Sequence, residues 1–186
     1  MKSVLISIQP QWCELIASGK KTVEVRKTKP KIETPFKCYI YCTKDFKPNT
    51  KYGFKLWAGR GKVIGEFVCD KIFDVCIEVS NPSDLPGHPF PCTGLTDIEI
   101  MQYLGNGRSG YGWHISNLVV YDKPRDIDEY YRICDEWEKD GFTPKCKRCD
   151  NYWRNDIDML CECAIEGEIY ITKPPQSWCY VEEVSG

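Results

Sequence analysis

The stretch Ser7-Ile8-Gln9-Pro10-Gln11-Trp12-Cys13-Glu14-Leu15-Ile16-Ala17-Ser18-Gly19-Lys20-Lys21-Thr22-Val23-Glu24-Val25-Arg26-Lys27 decides the fold. It follows Ser3-Val4-Leu5-Ile6, so the run from Ser3 to Ile8 reads as a short, buried, β-branched strand. Pro10 suits the first position of a helix, where its missing N–H costs nothing. Trp12, Leu15 and Ile16 stand at i, i+3 and i+4 and give that helix one apolar face. Gly19 is a natural helix stop. From Thr22 the period changes to two, which sets Thr22, Glu24 and Arg26 on one strand face and Val23 and Val25 on the other. Strand, helix, tight turn and strand therefore deliver Lys21, Thr22, Glu24 and Arg26 to one place. A Glu beside an Arg on one face can be a plain ion pair. The same groups can equally line a cleft, where Arg forks onto phosphate or a base edge and Glu accepts from a base amine.

Outward from this stretch the chain alternates short strands with few helices. Phe36–Thr43 and Lys62–Val75 read as strands, and Tyr111–Tyr121 as another. Thr96-Asp97-Ile98-Glu99 is a capping box that opens a helix through Tyr103, closed by Gly105. Asp126–Glu138 carries Ile127, Tyr130, Tyr131 and Cys134 in helical register. Glu168–Thr172 and Ser177–Val181 close the pattern as strands around Pro174-Pro175. The 186 residues fit one domain, 1–186, in which 126–165 forms a helical and Cys-bearing insertion. Five or six strands with two or three helices imply an α+β fold built on a small mixed β-barrel.

Composition excludes several classes. Hydrophobic residues make up 42% and aromatics 13%, too many for a disordered chain. No apolar run approaches the ~20 residues of a spanning helix, so no membrane partner is expected. Met1–Pro10 lacks the apolar core and cleavage site of a signal peptide, which points to a cytoplasmic protein. The net charge of −2 conceals an asymmetry: residues 1–75 hold 15 Lys and Arg against 7 Asp and Glu, and the rest of the chain reverses the balance. The basic excess is densest from Lys20 to Lys62. It is either a solvated face or an electrostatic footprint for phosphates.

Other motifs are less telling. Gly105, Gly107 and Gly110 match G-x-G-x-x-G, but they follow a helix and precede a strand, the reverse of a dinucleotide fingerprint. His114, in Trp113-His114-Ile115, is either a general base or a structural histidine. Twelve Cys in a reducing compartment read first as core residues or metal ligands. Cys146, Cys149, Cys161 and Cys163 fall in one polar segment and could hold one structural zinc in a thiolate tetrahedron. The other Cys fall mostly on apolar faces and read as small buried hydrophobes.

The opening stretch resembles that of ASCH domains, of the PUA-like superfamily: a strand, S-I-x-P, a helix ending S/A-G-x-K, then a strand with x-E/T-x-R. Gly61–Phe67 and Tyr111–Ile115 running into Tyr121-Asp122-Lys123-Pro124 are similar to later strands of that family. The resemblance implies a PUA-like barrel flanked by short helices, with a cleft that takes RNA or a modified nucleoside. Lys21, Glu24, Arg26, Trp113, His114 and Trp178 would serve that cleft. One branch of the family hydrolyses N4-acetylcytidine with a Lys, a Thr and a Glu. The Lys falls on Lys21, and the Thr position is occupied by Glu24, with Thr22 on the same strand face. Other members are ribonucleases. A small hydrolase using Lys21, Thr22 and Glu24, with Glu24 as general base, is therefore the alternative to a binding module. A third reading is a protein-interaction module built on the acidic segment Asp126–Asp140.

Overall fold

The computed structural model describes residues 2–44, 59–76, 92–105, 108–133 and 168–183. Its elements run β1 (Ser3–Ile8), α1 (Pro10–Ala17), β2 (Val23–Arg26), β3 (Phe36–Cys42), β4 (Lys62–Cys69), β5 (Ile72–Cys76), α2 (Asp97–Leu104), β6 (Ser109–His114), β7 (Ser116–Arg125), β8 (Tyr130–Ile133), β9 (Glu168–Tyr170) and β10 (Trp178–Glu183). The class is α+β, as expected. The barrel is not. Among the described residues the strands form a seven-stranded sheet, ordered β7-β4-β3-β1-β10-β8-β9, and a separate three-stranded sheet, β2-β6-β5, and no barrel closes. The sequence pattern marks each strand but not its partner, so it could not distinguish two packed sheets from a closed one.

β1 is buried along its whole length, which explains its unbroken apolar run. It pairs parallel with β3 and antiparallel with β10. The parallel pairing needs a long crossover, and α1 and β2 lie within it. Val4, Ile6 and Ile8 join one core cluster with Cys13, Ile16, Phe36, Phe67 and Trp113. Leu5 on the opposite face joins Tyr39, Tyr41, Val63 and Tyr130 in a second. A third cluster, of Val25, Val75, Ile100 and Leu104, holds α2 against the small sheet. Helix α1 begins on Pro10 and is followed by Gly19 in the left-handed region, φ 72°. The capping box of α2 forms as read, with Thr96 and Glu99 bonded reciprocally. Gly105 ends α2, and Gly110 sits inside β6, where a Cβ would fall 2.5 Å from Leu104 Cδ2 and 2.9 Å from the Arg26 carbonyl. That glycine lets α2 and β2 pack tightly beside the site.

Three element readings are corrected. Lys62–Val75 is two strands in different sheets, broken at Asp70-Lys71, and Tyr111–Tyr121 is likewise split between β6 and β7. The helix expected over Asp126–Glu138 does not form in its described part. Ile127–Glu129 is a single 3-10 turn and Tyr130–Ile133 is a strand paired with β10 and β9. Tyr130 and Tyr131 favour a strand, and burial of Tyr130 against Tyr39 overrides the helical spacing. The remainder of that segment, including Cys146, Cys149, Cys161 and Cys163, lies outside the described residues. Cys13, Cys38, Cys42 and Cys69 are buried as expected, and burial pushes the Cys69 thiol up to about 12. Cys76 and Cys92 are exposed instead.

Candidate functional site

The turn after α1 brings the chain back against the loop that precedes α2. Lys21 N donates to Leu15 O, and Thr22 N and Val23 N both donate to Cys92 O at 2.8 and 2.9 Å. Cys92 and Gly94 both adopt positive φ, 70° each, on either side of the fully buried Thr93. The Cys92 carbonyl thus meets the β2 backbone, and the Thr93 carbonyl meets the Lys21 side chain.

Lys21 is 2% exposed, and all three of its ammonium donors have acceptors: Val23 O at 2.8 Å, Thr93 O at 2.6 Å and Glu24 Oε2 at 3.2 Å. Its Nζ also lies 5.6 Å from the centroid of the Trp12 ring. Glu24 Oε1 lies 3.0 Å from Arg26 Nη2, which donates as well to the Ser7 carbonyl of β1 at 2.6 Å. Arg26 Nε is buried with no hydrogen-bond partner among the described residues. The result is a carboxylate clamped between two buried cations, each tied to backbone carbonyls.

This cluster lines a cleft of about 1000 Å³. Trp12, Tyr41 and Tyr103 contribute aromatic surface to it, and the Pro174–Ser177 segment forms one border. That segment is fastened to β1, for Ser7 Oγ donates to Pro175 O and Ser7 N to Ser177 O. Burial raises the Tyr103 phenol above its usual value, and the Arg26 charge opposes that shift.

The structure brings together Lys21, Glu24 and Arg26, and it leaves the other candidate residues elsewhere. Thr22 does not line the cleft. Its strand alternation with Glu24 is broken because β2 starts only at Val23. Trp113 is fully buried in the core, edge-on to Phe36, and Trp178 packs between Trp113 and Tyr180 with its Nε1 donating to Thr28. His114 faces away from the cleft cluster and pairs with Asp70, Nδ1 to Oδ1 at 2.7 Å, at a half-exposed site. Asp70 is the orienting partner that the sequence did not reveal, because it comes from the turn between β4 and β5.

Several cleft residues were missed. Ser7 was read as part of a strand, Glu99 as a capping residue, and Tyr103 as the end of a helix. Glu99 does line the cleft, but its Oε2 is held by Thr96 N and Oγ1 in the capping box. Only the Thr96–Glu99 box and the Pro174-Pro175 pair left a mark in the sequence, and neither announces a cleft.

The described residues thus form an α+β domain of two sheets with a buried polar cluster between the first helix and the second strand. Residues 6–80 match the model of the ASCH domain family. Among solved structures, a serine-to-alanine mutant of the ASCH protein of Zymomonas mobilis aligns with 16% identity over 97% of this chain and 88% of its own, at a TM-score of 0.53. A tyrosine-to-phenylalanine mutant of the same protein aligns with 20% identity over 69% and 78%, at 0.48. The first of these supports the fold. No curated protein matches the chain. Among the described residues no helix is long and apolar enough to cross a membrane, and no group of three His, Cys, Asp or Glu could hold a metal.

Proposed function

We propose that the cleft binds a nucleobase, presented by RNA or by a modified nucleoside. One observation carries this reading: Glu24, held between Lys21 and Arg26, sits in a roomy cleft with aromatic surface. Burying three charges costs several kcal/mol per ion, about as much as their pairing returns, so the cluster is a poor device for stability. It is a good device for holding a carboxylate rigid. Glu24 keeps lone pairs for a base amine, and the unpartnered Arg26 Nε is a donor awaiting an acceptor. A base edge with an amine beside an acceptor, such as cytosine or adenine offers, matches that pair. The aromatic surface supplies the stacking, and the basic Lys20–Lys62 region suits the phosphates.

The hydrolase reading is weaker. Lys21 is already engaged by three acceptors inside the fold, and Thr22 lies off the cleft. Isothermal titration with a panel of nucleosides, N4-acetylcytidine and short single-stranded RNA tests the proposal, with the ligands analysed by chromatography afterwards. We expect saturable binding with the ligand recovered intact. Absence of binding to every member would refute the reading, and recovered product would replace it with the hydrolase.

We also propose, on sequence spacing, that Cys146, Cys149, Cys161 and Cys163 hold one structural zinc. Elemental analysis of natively purified protein should find one zinc per chain. A zinc-free protein unaffected by chelator would end that idea.

A further inference from the structure

Beyond the cleft, the segment after β2 carries Lys27, Lys29 and Lys31 at alternate positions, all exposed. Each is placed beside a tyrosine from a different element. Lys27 Nζ lies 5.2 Å from the ring centroid of Tyr103, on α2 at the cleft. Lys29 Nζ lies 4.9 Å from that of Tyr111, on β6. The Lys31 backbone N–H donates to Tyr180 Oη, on β10, at 2.7 Å, and Lys2 Nζ lies 5.9 Å from the same ring. Trp178 Nε1 donates to Thr28 Oγ1 between the first two lysines and so ties the segment to β10. The first pair is continuous with the cleft, because Tyr103 lines it and Lys27 follows Arg26 directly. Glu33 is the one acidic residue between Lys27 and Lys37.

Resting on the nucleobase reading of the cleft, we propose that this lysine–tyrosine track carries the adjoining nucleotides of single-stranded RNA. The cleft then takes one base of a polymer rather than a free nucleoside. Alternating cations and rings match a chain of alternating phosphates and bases. An exposed cation–π pair is weak, so a base can take the ring face while the lysine turns to the phosphate. A duplex would keep its bases stacked inside and leave the rings unused. An acidic polypeptide would use the lysines and ignore the tyrosines.

The test measures anisotropy of labelled single-stranded RNA of about twelve nucleotides, long enough to span cleft and track, against calorimetric binding of a trinucleotide. Wild type is compared with the Lys27→Ala/Lys29→Ala/Lys31→Ala variant and with Tyr111→Leu, all confirmed folded by an unchanged Tm. The wild-type chain should bind the longer RNA at least tenfold more tightly than the trinucleotide. The triple variant should lose that advantage, keep its trinucleotide affinity, and show a salt slope shallower by about 2, the share of three phosphate contacts. Tyr111→Leu should weaken the longer RNA with its salt slope unchanged. Equal wild-type affinity for both lengths would overturn the track and leave the cleft reading standing. So would an unaltered triple variant, or equal competition by polyglutamate. Failure of the wild type to bind either RNA would overturn both.

Discussion

Two charged clusters in this molecule use similar chemistry in opposite settings. At the cleft, Glu24 lies between Lys21 and Arg26 with every side chain under a tenth exposed. At the start of β5, His114 and Asp70 form a shorter contact, but both are more than two-fifths exposed. In the sequence, both His114 and Glu24 have a chemical reading beside a structural one. Burial separates them. Water screens the surface pair, whereas in the cleft each charge depends on its neighbours for nearly all of its stabilisation.

The sharpest way to break this contrast is to remove the shared carboxylate. Glu24→Ala leaves two buried cations facing each other and should cost about 3–5 kcal/mol in denaturant unfolding. A loss no larger than that of a surface ion pair would show that water reaches the cluster. Next comes Lys21→Met, which keeps the bulk but strips Thr93 O and Val23 O of their donor. It should cost about 1–3 kcal/mol for the orphaned acceptors and loosen the loop at Cys92–Gly94, seen as faster amide exchange there. The smallest effect is at Asp70→Asn, which should lower Tm only slightly near neutral pH. The hydrogen bond from His114 holds the Asp70 carboxyl below the usual carboxylate range. A carboxylate depressed in the folded state contributes fully above its unfolded value, about 3.9, and that contribution is lost as pH falls through the lower folded value. Wild type and variant should therefore differ slightly at neutral pH and converge on the acid limb of a Tm-against-pH curve. A large loss at neutral pH would mean that the pair is more than a surface contact, and a difference that grows in acid would contradict the lowered Asp70 value.

The same contrast explains what could be read from sequence. Residues 3–27 are local: the strand, the proline-led helix, the Gly19 turn and the gathering of Lys21, Glu24 and Arg26 follow from contacts between near neighbours. The capping box at Thr96–Glu99 is equally local. Tertiary pairing decided the rest. Tyr130 and Tyr131 read as helical until β10 paired with them. The closed barrel failed because strand order is set by long-range contacts that leave no period in the sequence. Trp113, attractive as a stacking platform, is a core residue, and Trp178 lies half-buried against it, while Tyr103 was overlooked at the end of a helix. Ser177 meets Arg26 from the far end of the chain, so no spacing could have predicted it.

The central claim is that the clamped carboxylate reads a base. Its most direct test is anisotropy of labelled single-stranded RNA with wild type and Glu24→Gln at low and high salt, each protein first shown to be folded. Gln keeps the shape and removes the charge. The account expects wild-type binding that weakens with salt and at least a tenfold loss in Glu24→Gln. Equal binding by a folded Glu24→Gln protein would contradict it.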